Sequence, residues 1–264
     1  MPFASDRVLG AAAKDNDGPI GYAPGMFEFS SCGFACHRSD LPSRTSTPGA
    51  EYALVAHFLD ERLAPTRPGE AATIFIEPKI DSAFPDIVVA YWNADIAAEW
   101  PSARRLLSNG DLKHVQYLHM AGQIAVDDLE RRIGKRPAAR LVAKLVDAEL
   151  AGHRNGVLRR KALKTTFAIR RLVAIEAKMS NWKAGLHQAF LNSWFASETF
   201  LLLPDVPKAE RLFAQAKVMG VGVVSSDQDL SRATIPSPRG RLPKSYASWY
   251  FNEWAWRYTL QSPV

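Results

Sequence analysis

The sequence is poor in cysteine and has no long apolar run. Its 264 residues include two cysteines, too few for a disulfide framework in a chain of this size, so we expect a reducing, cytoplasmic setting. No apolar stretch approaches the length that crosses a bilayer. Residues 1–14 lack the basic head and apolar core of a signal peptide. We therefore expect neither a disulfide-stabilised fold nor membrane insertion.

The two cysteines lie close together, and a histidine follows the second. Cys32, Cys36 and His37 offer three ligands at an unusual spacing, whereas a structural zinc site has four. Two free thiols near a loop are the favoured interpretation.

The composition is that of a globular protein with a basic balance. Apolar residues make up 47% of the chain and charged residues 23%, enough for one large domain or a domain with a small module. The formal net charge is +6 and the isoelectric point is near 9.4. A positive protein attracts polyanions, so nucleic acid and anionic membrane surfaces are both candidate partners.

Apolar periodicity indicates alternating helices and strands after an irregular first segment, residues 1–49, with one short strand near 26–30. Thr47 is a candidate helix cap. This order predicts an α/β fold, a mixed central sheet flanked by helices. The predicted elements are a helix at 50–63, an antiparallel strand pair at 72–76 and 87–92, a strand at 167–175, a helix at 182–197, a strand at 200–203, a helix at 209–219 and a strand at 221–224.

Residues 109–163 form a predicted insertion between the strands. Helices are expected at 111–120, 126–133 and 138–150, with Pro137 at the start of the third. Asn155-Gly156 is a tight hairpin signal. Three helices and a hairpin in this order resemble a winged helix-turn-helix, a DNA-binding module.

Positive charge is concentrated around this insertion. Residues 113–183 contain sixteen Lys and Arg against six Asp and Glu, so the rest of the chain is net acidic. Phosphate neutralisation requires such clustering, although a solvated basic face would look the same. The candidate nucleic-acid-binding residues are Arg136, Arg140, Lys144, Arg154, Arg159, Arg160 and Lys183.

The insertion divides the chain into three parts. Residues 1–108 are the first part of the main domain, 109–163 the module, and 164–264 the second part. The last part ends in an aromatic-rich segment, 245–260, expected to be a helix that packs on the sheet.

Charged residues stand at the ends of two predicted strands. Asp86 precedes one, and Glu176 and Lys178 end another. Two residues apart on a strand, Glu176 and Lys178 point to the same face. A second carboxylate from Asp86 would complete a site for Mg²⁺, which favours oxygen ligands and needs only one or two carboxylates. In the structural alternative, Glu176 and Lys178 form a salt bridge at the sheet edge, and Asp86 is a turn residue.

Pro85-Asp86 followed by Glu176-x-Lys178 resembles the motif of the PD-(D/E)XK nuclease superfamily, which has the restriction-endonuclease-like fold. The helix carrying Glu51 and the later helix carrying Gln188 are similar to family elements. The resemblance covers residues 50–93 and 165–225. The long gap between Asp86 and Glu176 departs from the compact family pattern, and the inserted module accounts for it.

The resemblance implies a metal-dependent DNA endonuclease. Asp86 and Glu176 would bind Mg²⁺, with Mn²⁺ as an alternative, and Glu51 would complete a second metal site. Lys178 would act on the attacking water or the phosphate, and Gln188 would hold the Lys178 region or contact the DNA backbone. The Ala177 carbonyl is a further candidate ligand.

Other features leave the prediction open. Arg170, Arg171, Lys183 and His187 are candidate phosphate contacts. A non-catalytic DNA-binding protein on a nuclease-like fold is the alternative function, and a partner-binding protein that uses the aromatic tail is a third. A homodimer is left open.

Overall fold

The computed structural model describes residues 35–36, 49–62, 70–81 and 85–259. The predicted strand at 26–30, the predicted cap Thr47, and Cys32 and His37 lie outside these ranges, and Cys36 is described only as part of a strand.

A mixed six-stranded sheet forms the centre of the molecule. Its order is β1-β2-β3-β7-β8-β9. β2 and β3 are antiparallel, as are β3 and β7, whereas the β1–β2, β7–β8 and β8–β9 pairs are parallel. The strands are β1 (Ala35–Cys36), β2 (Glu70–Ile76), β3 (Ile87–Asn93), β7 (Ile169–Ala177), β8 (Glu198–Leu203) and β9 (Gly222–Ser225).

Helices cover both faces of this sheet. On one face α1 (Ala50–Arg62) packs Leu54, Val55, Phe58 and Leu59 against it. On the other face α7 (Trp182–Leu191) and α8 (Glu210–Met219) cover β8 and β9, and α9 (Tyr246–Thr259) covers β3 and β7. The predicted α/β class is confirmed. Among the helices in the described ranges, none combines the length and apolar character of a bilayer-spanning segment.

A small helical module with its own sheet lies between β3 and β7. Its three-stranded antiparallel sheet has the order β4-β6-β5. Asn155 and Gly156 join β5 to β6 with φ of 50° and 71°, the two positive values that a type I′ hairpin requires. The elements are α3 (Asn109–Ala121), β4 (Gln123–Ala125), α4 (Val126–Ile133), α5 (Lys135–Asp147), β5 (Ala151–Arg154) and β6 (Val157–Arg160).

The module shares a hydrophobic core with the main sheet. One buried cluster contains Val88 and Leu172 from the sheet, Phe251 from α9, and Leu112 and Leu141 from the module. Such a continuous core holds the module firmly, because interiors are close-packed.

A buried ion pair adds to this attachment. Arg104 lies in a 3-10 turn (Ser102–Leu106) and forms two hydrogen bonds with Glu253 of α9; both side chains are almost fully buried. Arg104 also donates to the Thr166 carbonyl at 2.9 Å, and its guanidinium lies over the ring of Trp100. The predicted packing of the aromatic helix therefore includes a charged pair as well as rings.

Several predicted boundaries were wrong. The third strand begins at Ile169 and not at 167, and α7 ends at Leu191, where a 3-10 turn (Asn192–Trp194) replaces the last predicted helical turn. α5 begins at Lys135 and ends at Asp147, so Pro137 is its third residue. Proline is tolerated there because the first-turn amides have no helical partner. Two short helices, α2 (Ala94–Ala98) and α6 (Leu163–Thr166), were not predicted, nor were β1 and β4.

Candidate active site

Asp86 and Glu176 lie side by side where β3 begins and β7 ends, because these two central strands are antiparallel. Ile87 pairs with Ile175, so the next pair in this register is Asp86 and Glu176. The two carboxyl groups are in hydrogen-bonding contact. The backbone N–H of Ala177 also donates to Asp86 Oδ2 at 2.8 Å. Residues ninety positions apart in the sequence thus form one acidic pair.

Glu176 is buried, Asp86 is partly buried, and their charges repel each other. Glu176 is 5% exposed. Burial, and then the charge of Asp86, raise the pKa of Glu176 to about 8, against the smaller opposing effects of Asn192 and Lys178. Burial also raises the pKa of Asp86, although the Ala177 amide and Lys178 oppose it. Two like charges in contact favour a shared proton or a bound cation.

Lys178 lies beside the pair and is held from two sides. Its stem packs against α7, where a Cβ added to Gly185 would lie 2.5 Å from Lys178 Cγ. Its Nζ lies 3.3 Å from Glu51 Oε2 of α1. The lysine side chain is 16% exposed and that of Glu51 50% exposed. Glu51 therefore pairs with the lysine in this structure.

Asn192 is a site residue that the sequence did not reveal. It follows α7 directly, is 3% exposed, and its Nδ2 donates to Glu176 Oε1 at 2.8 Å. Gln188, the predicted residue of this helix, lies one turn earlier on the same side and is exposed. An isolated asparagine after a helix has no sequence signature, so only the fold identifies it.

The residues present fit a magnesium ion. Across the described part of the chain, no set of three His, Cys, Asp or Glu side chains is arranged to hold a metal. Mg²⁺ usually takes one or two carboxylates and completes its shell with water and substrate phosphate. The Asp86–Glu176 pair offers two such carboxylates. The raised pKa values of both groups show that the negative charges are poorly stabilised in the protein alone, and a bound cation would stabilise them. Glu51 is a weaker candidate ligand than Asp86 or Glu176, because its carboxylate already forms an ion pair with Lys178.

The candidate phosphate-contacting residues fall into two groups. Most are exposed on the module: Arg136 and Arg140 on α5, Arg154 and Arg159 on the outer face of the hairpin, and Arg160. Lys144 is different, since its Nζ binds Asp111 Oδ2 at 2.8 Å and thereby joins α5 to α3.

Two predicted phosphate contacts lie away from the carboxylate pair. Arg170 and Arg171 are at the opposite end of β7, roughly 15–20 Å along the strand from Glu176 at ~3.3 Å per residue. Arg171 makes two 2.8 Å hydrogen bonds with Glu198, so its charge is already paired. Lys183 and His187 are exposed on α7.

The module reaches back toward the site although it is attached at the far end of the sheet. It begins after β3 and ends before β7, but α3 runs beside α9, where Trp249 Nε1 donates to Gln116 Oε1 at 2.8 Å. Lys113 of α3 lies 3.4 Å from Asp81, in the connection that leads to Asp86. The insertion thus accounts for the long stretch of sequence between Asp86 and Glu176, while the pairing of β3 with β7 keeps the two residues adjacent in the fold.

The sequence matches no protein-family model and no curated protein. Among solved structures, it is similar to the crystal structure of protein VC1899 from Vibrio cholerae, with 14% sequence identity and a TM-score of 0.20. The alignment covers 50% of this chain and 51% of that one, so it spans about half of each. At that TM-score the similarity carries no argument about fold or function.

Proposed function

We propose that the protein is a metal-dependent endonuclease that hydrolyses DNA phosphodiester bonds. The observation that carries the proposal is the contact between the Asp86 and Glu176 carboxyl groups, with Lys178 beside them. Clustered titratable groups with raised pKa values are common in active sites. The resemblance of these residues to the PD-(D/E)XK motif gives the reaction class.

Each residue has a role that follows from its position. Asp86 and Glu176 would hold Mg²⁺, or Mn²⁺ in its place. The ion, when bound, would polarise the phosphate and lower the pKa of a water molecule. Lys178 can reach the same space from the end of β7, where its ammonium would orient the attacking water or stabilise charge on the phosphate. Glu51 would hold Lys178 until substrate binds, because an ion pair with one half-exposed partner is easily exchanged.

The inserted module would grip the duplex. Exposed Arg136 and Arg140 on α5, with Arg154 and Arg159 on the hairpin, offer several phosphate contacts, and backbone contacts of this kind supply most non-specific DNA affinity. The shared core would hold this surface in fixed relation to the carboxylate pair.

The proposal is tested by incubating the purified protein with plasmid DNA, with and without Mg²⁺ or Mn²⁺. Wild-type protein should nick or linearise the plasmid only with metal. Asp86→Ala and Lys178→Ala should abolish cleavage but retain DNA binding, measured by fluorescence anisotropy. Asp95→Ala and Lys217→Ala change exposed residues away from the site and should behave as wild type. Full cleavage by both site variants would refute the proposal.

A non-catalytic DNA-binding protein is the second candidate function. The exposed basic residues of the module favour it independently of the carboxylate pair. It predicts salt-sensitive binding without nicking under any divalent metal, so the same plasmid assay separates the two candidates.

A further inference from the structure

We propose that Asn192 is a positioning residue that holds the Glu176 carboxylate in the orientation needed for metal binding. The inference rests on the proposed function. Its basis is a buried contact in which Asn192 Nδ2 donates to Glu176 Oε1 at 2.8 Å. The donor occupies one carboxylate oxygen from the α7 side, while the carboxyl group meets Asp86 from the β3 side.

Asn192 is itself fixed by the end of α7. Its carbonyl accepts the N–H of Ala196 at 3.1 Å. Residues on either side of Trp194 in the following turn are also anchored. Lys244 Nζ donates to the Ser193 carbonyl at 3.0 Å, and Ser248 Oγ donates to the Phe195 carbonyl at 2.8 Å. A rigidly held donor fixes the rotamer of the side chain that it binds.

The chemistry of the contact suits a metal ligand. An amide N–H stabilises an ionised carboxylate without adding a charge that would repel the cation. A lysine or arginine at this position would compete with the metal. Partners of this kind orient ligating groups, and their loss typically weakens metal affinity about 10–100-fold.

A purely structural role is the alternative, in which Asn192 only ends α7. Asn93 provides the matched control, because it is also a hydrogen-bonding asparagine at a helix terminus. Its Oδ1 accepts the N–H of Asp95 at 2.9 Å, at the end of β3 opposite to Asp86. Asn192→Leu and Asn93→Leu remove one asparagine each, but only the first touches the candidate site.

The experiment measures Mn²⁺ affinity by calorimetry in the absence of DNA, together with plasmid cleavage and thermal unfolding. Asn192→Leu should bind Mn²⁺ about tenfold or more weakly, and Asn93→Leu as tightly as wild type. Asn192→Ala is measured in parallel in case leucine does not fit the buried position. A folded Asn192 variant with wild-type Mn²⁺ affinity would overturn the proposal.

The wild-type protein offers a direct spectroscopic test that needs no variant to fold. With ¹⁵N-labelled asparagine, one side-chain amide should shift on saturation with Mg²⁺, because its acceptor becomes a metal ligand. Saturation without a shift in any asparagine side-chain amide would also overturn the proposal. If wild-type protein binds neither Mg²⁺ nor Mn²⁺, the proposed function fails; if wild type binds metal and the Asn192 variants bind it equally well, only this inference fails.

Discussion

Asp86 and Glu176 face each other as the next pair in the antiparallel register of β3 and β7, with their carboxyl groups in contact. This arrangement stores electrostatic repulsion in the metal-free protein. A buried carboxyl with a raised pKa binds its proton more tightly in the folded state than in the unfolded state. The candidate site is therefore expected to reduce stability at neutral pH.

Metal-free wild-type protein should lose stability as pH rises from about 4.5 to about 8, the ordinary and folded pKa values of Glu176. Below this range Glu176 is protonated in both the folded and the unfolded state, so it does not change the free energy of unfolding. Above it, folding must hold the ionised form, which the buried site disfavours. Thermal unfolding across this range should show the decline.

Glu176→Gln isolates the contribution of this group. The difference in melting temperature between Glu176→Gln and wild type should grow in favour of the variant as pH rises, because titrating groups outside the Asp86–Glu176 pair contribute equally to both proteins. Adding Mg²⁺ at pH 8 should stabilise wild type and leave the variant almost unchanged. Parallel wild-type and variant curves would show that Glu176 has an ordinary pKa.

Gly185→Ala should impair cleavage by displacing Lys178. The new Cβ would lie 2.5 Å from Lys178 Cγ and 2.6 Å from Leu201 Cδ1, and Leu201 is fully buried. The helix or the lysine must shift, at a stability cost of about 1–3 kcal/mol for an overpacked site. We expect at least a roughly tenfold fall in cleavage rate, since small misplacements of reacting groups are costly.

Gly152→Ala is the control for this substitution. An added Cβ at Gly152 meets nothing within 4 Å, and the residue lies in β5 of the module. Its stability and cleavage rate should stay close to wild type. Equal cleavage by the Gly185→Ala variant and by wild type would indicate that Lys178 tolerates displacement or takes no part in the reaction.

Arg140 and Lys144 should differ in DNA binding although both lie on α5. Arg140 is exposed, whereas Lys144 is paired with Asp111. Arg140→Ala should weaken binding and reduce the salt dependence of the affinity by about one ion. Lys144→Ala should change the affinity less, and its unfolding free energy by about 1 kcal/mol at most, the usual value of a partly exposed ion pair.

Anisotropy titrations from 50 to 200 mM salt would measure both variants. An equal loss of affinity and salt dependence for Lys144→Ala would mean that its ion pair with Asp111 opens on DNA.

The sequence predicted five of the six described strands of the main sheet because they are short apolar runs bounded by turns, whereas the two-residue β1 was not predicted. β2 and β3 were predicted as an antiparallel pair on this basis, and the hairpin of the module on Asn155-Gly156. Asp86, Glu176 and Lys178 were singled out because charge at a strand end is conspicuous. In each case the signal is local to the residues concerned.

Features that depend on distant neighbours could not be predicted. Asn192 contacts Glu176 only because α7 packs beside β7. β4 is three residues long, too short to show an alternation of apolar and polar residues, and it is a strand only because it pairs with β6. The ion pairs that engage Lys144 and Arg171 likewise depend on tertiary packing.

The Arg104–Glu253 ion pair should be essential for attachment of the module. Glu253→Gln leaves the charge of Arg104 buried without its counter-ion, because both side chains are almost fully excluded from solvent. Loss of one partner of a buried pair typically costs about 3–5 kcal/mol. Urea unfolding should show this loss in Glu253→Gln and in Arg104→Met.

The double variant Arg104→Met with Glu253→Leu should be more stable than either single variant. Apolar side chains of similar volume can replace a buried ion pair without leaving an unpaired charge. Arg104 also donates to the Thr166 carbonyl, which would lose one partner, so the recovery should be incomplete. Additive losses in the double variant would show that the two charges do not depend on each other, and would contradict the ion pair as the link between this segment and α9.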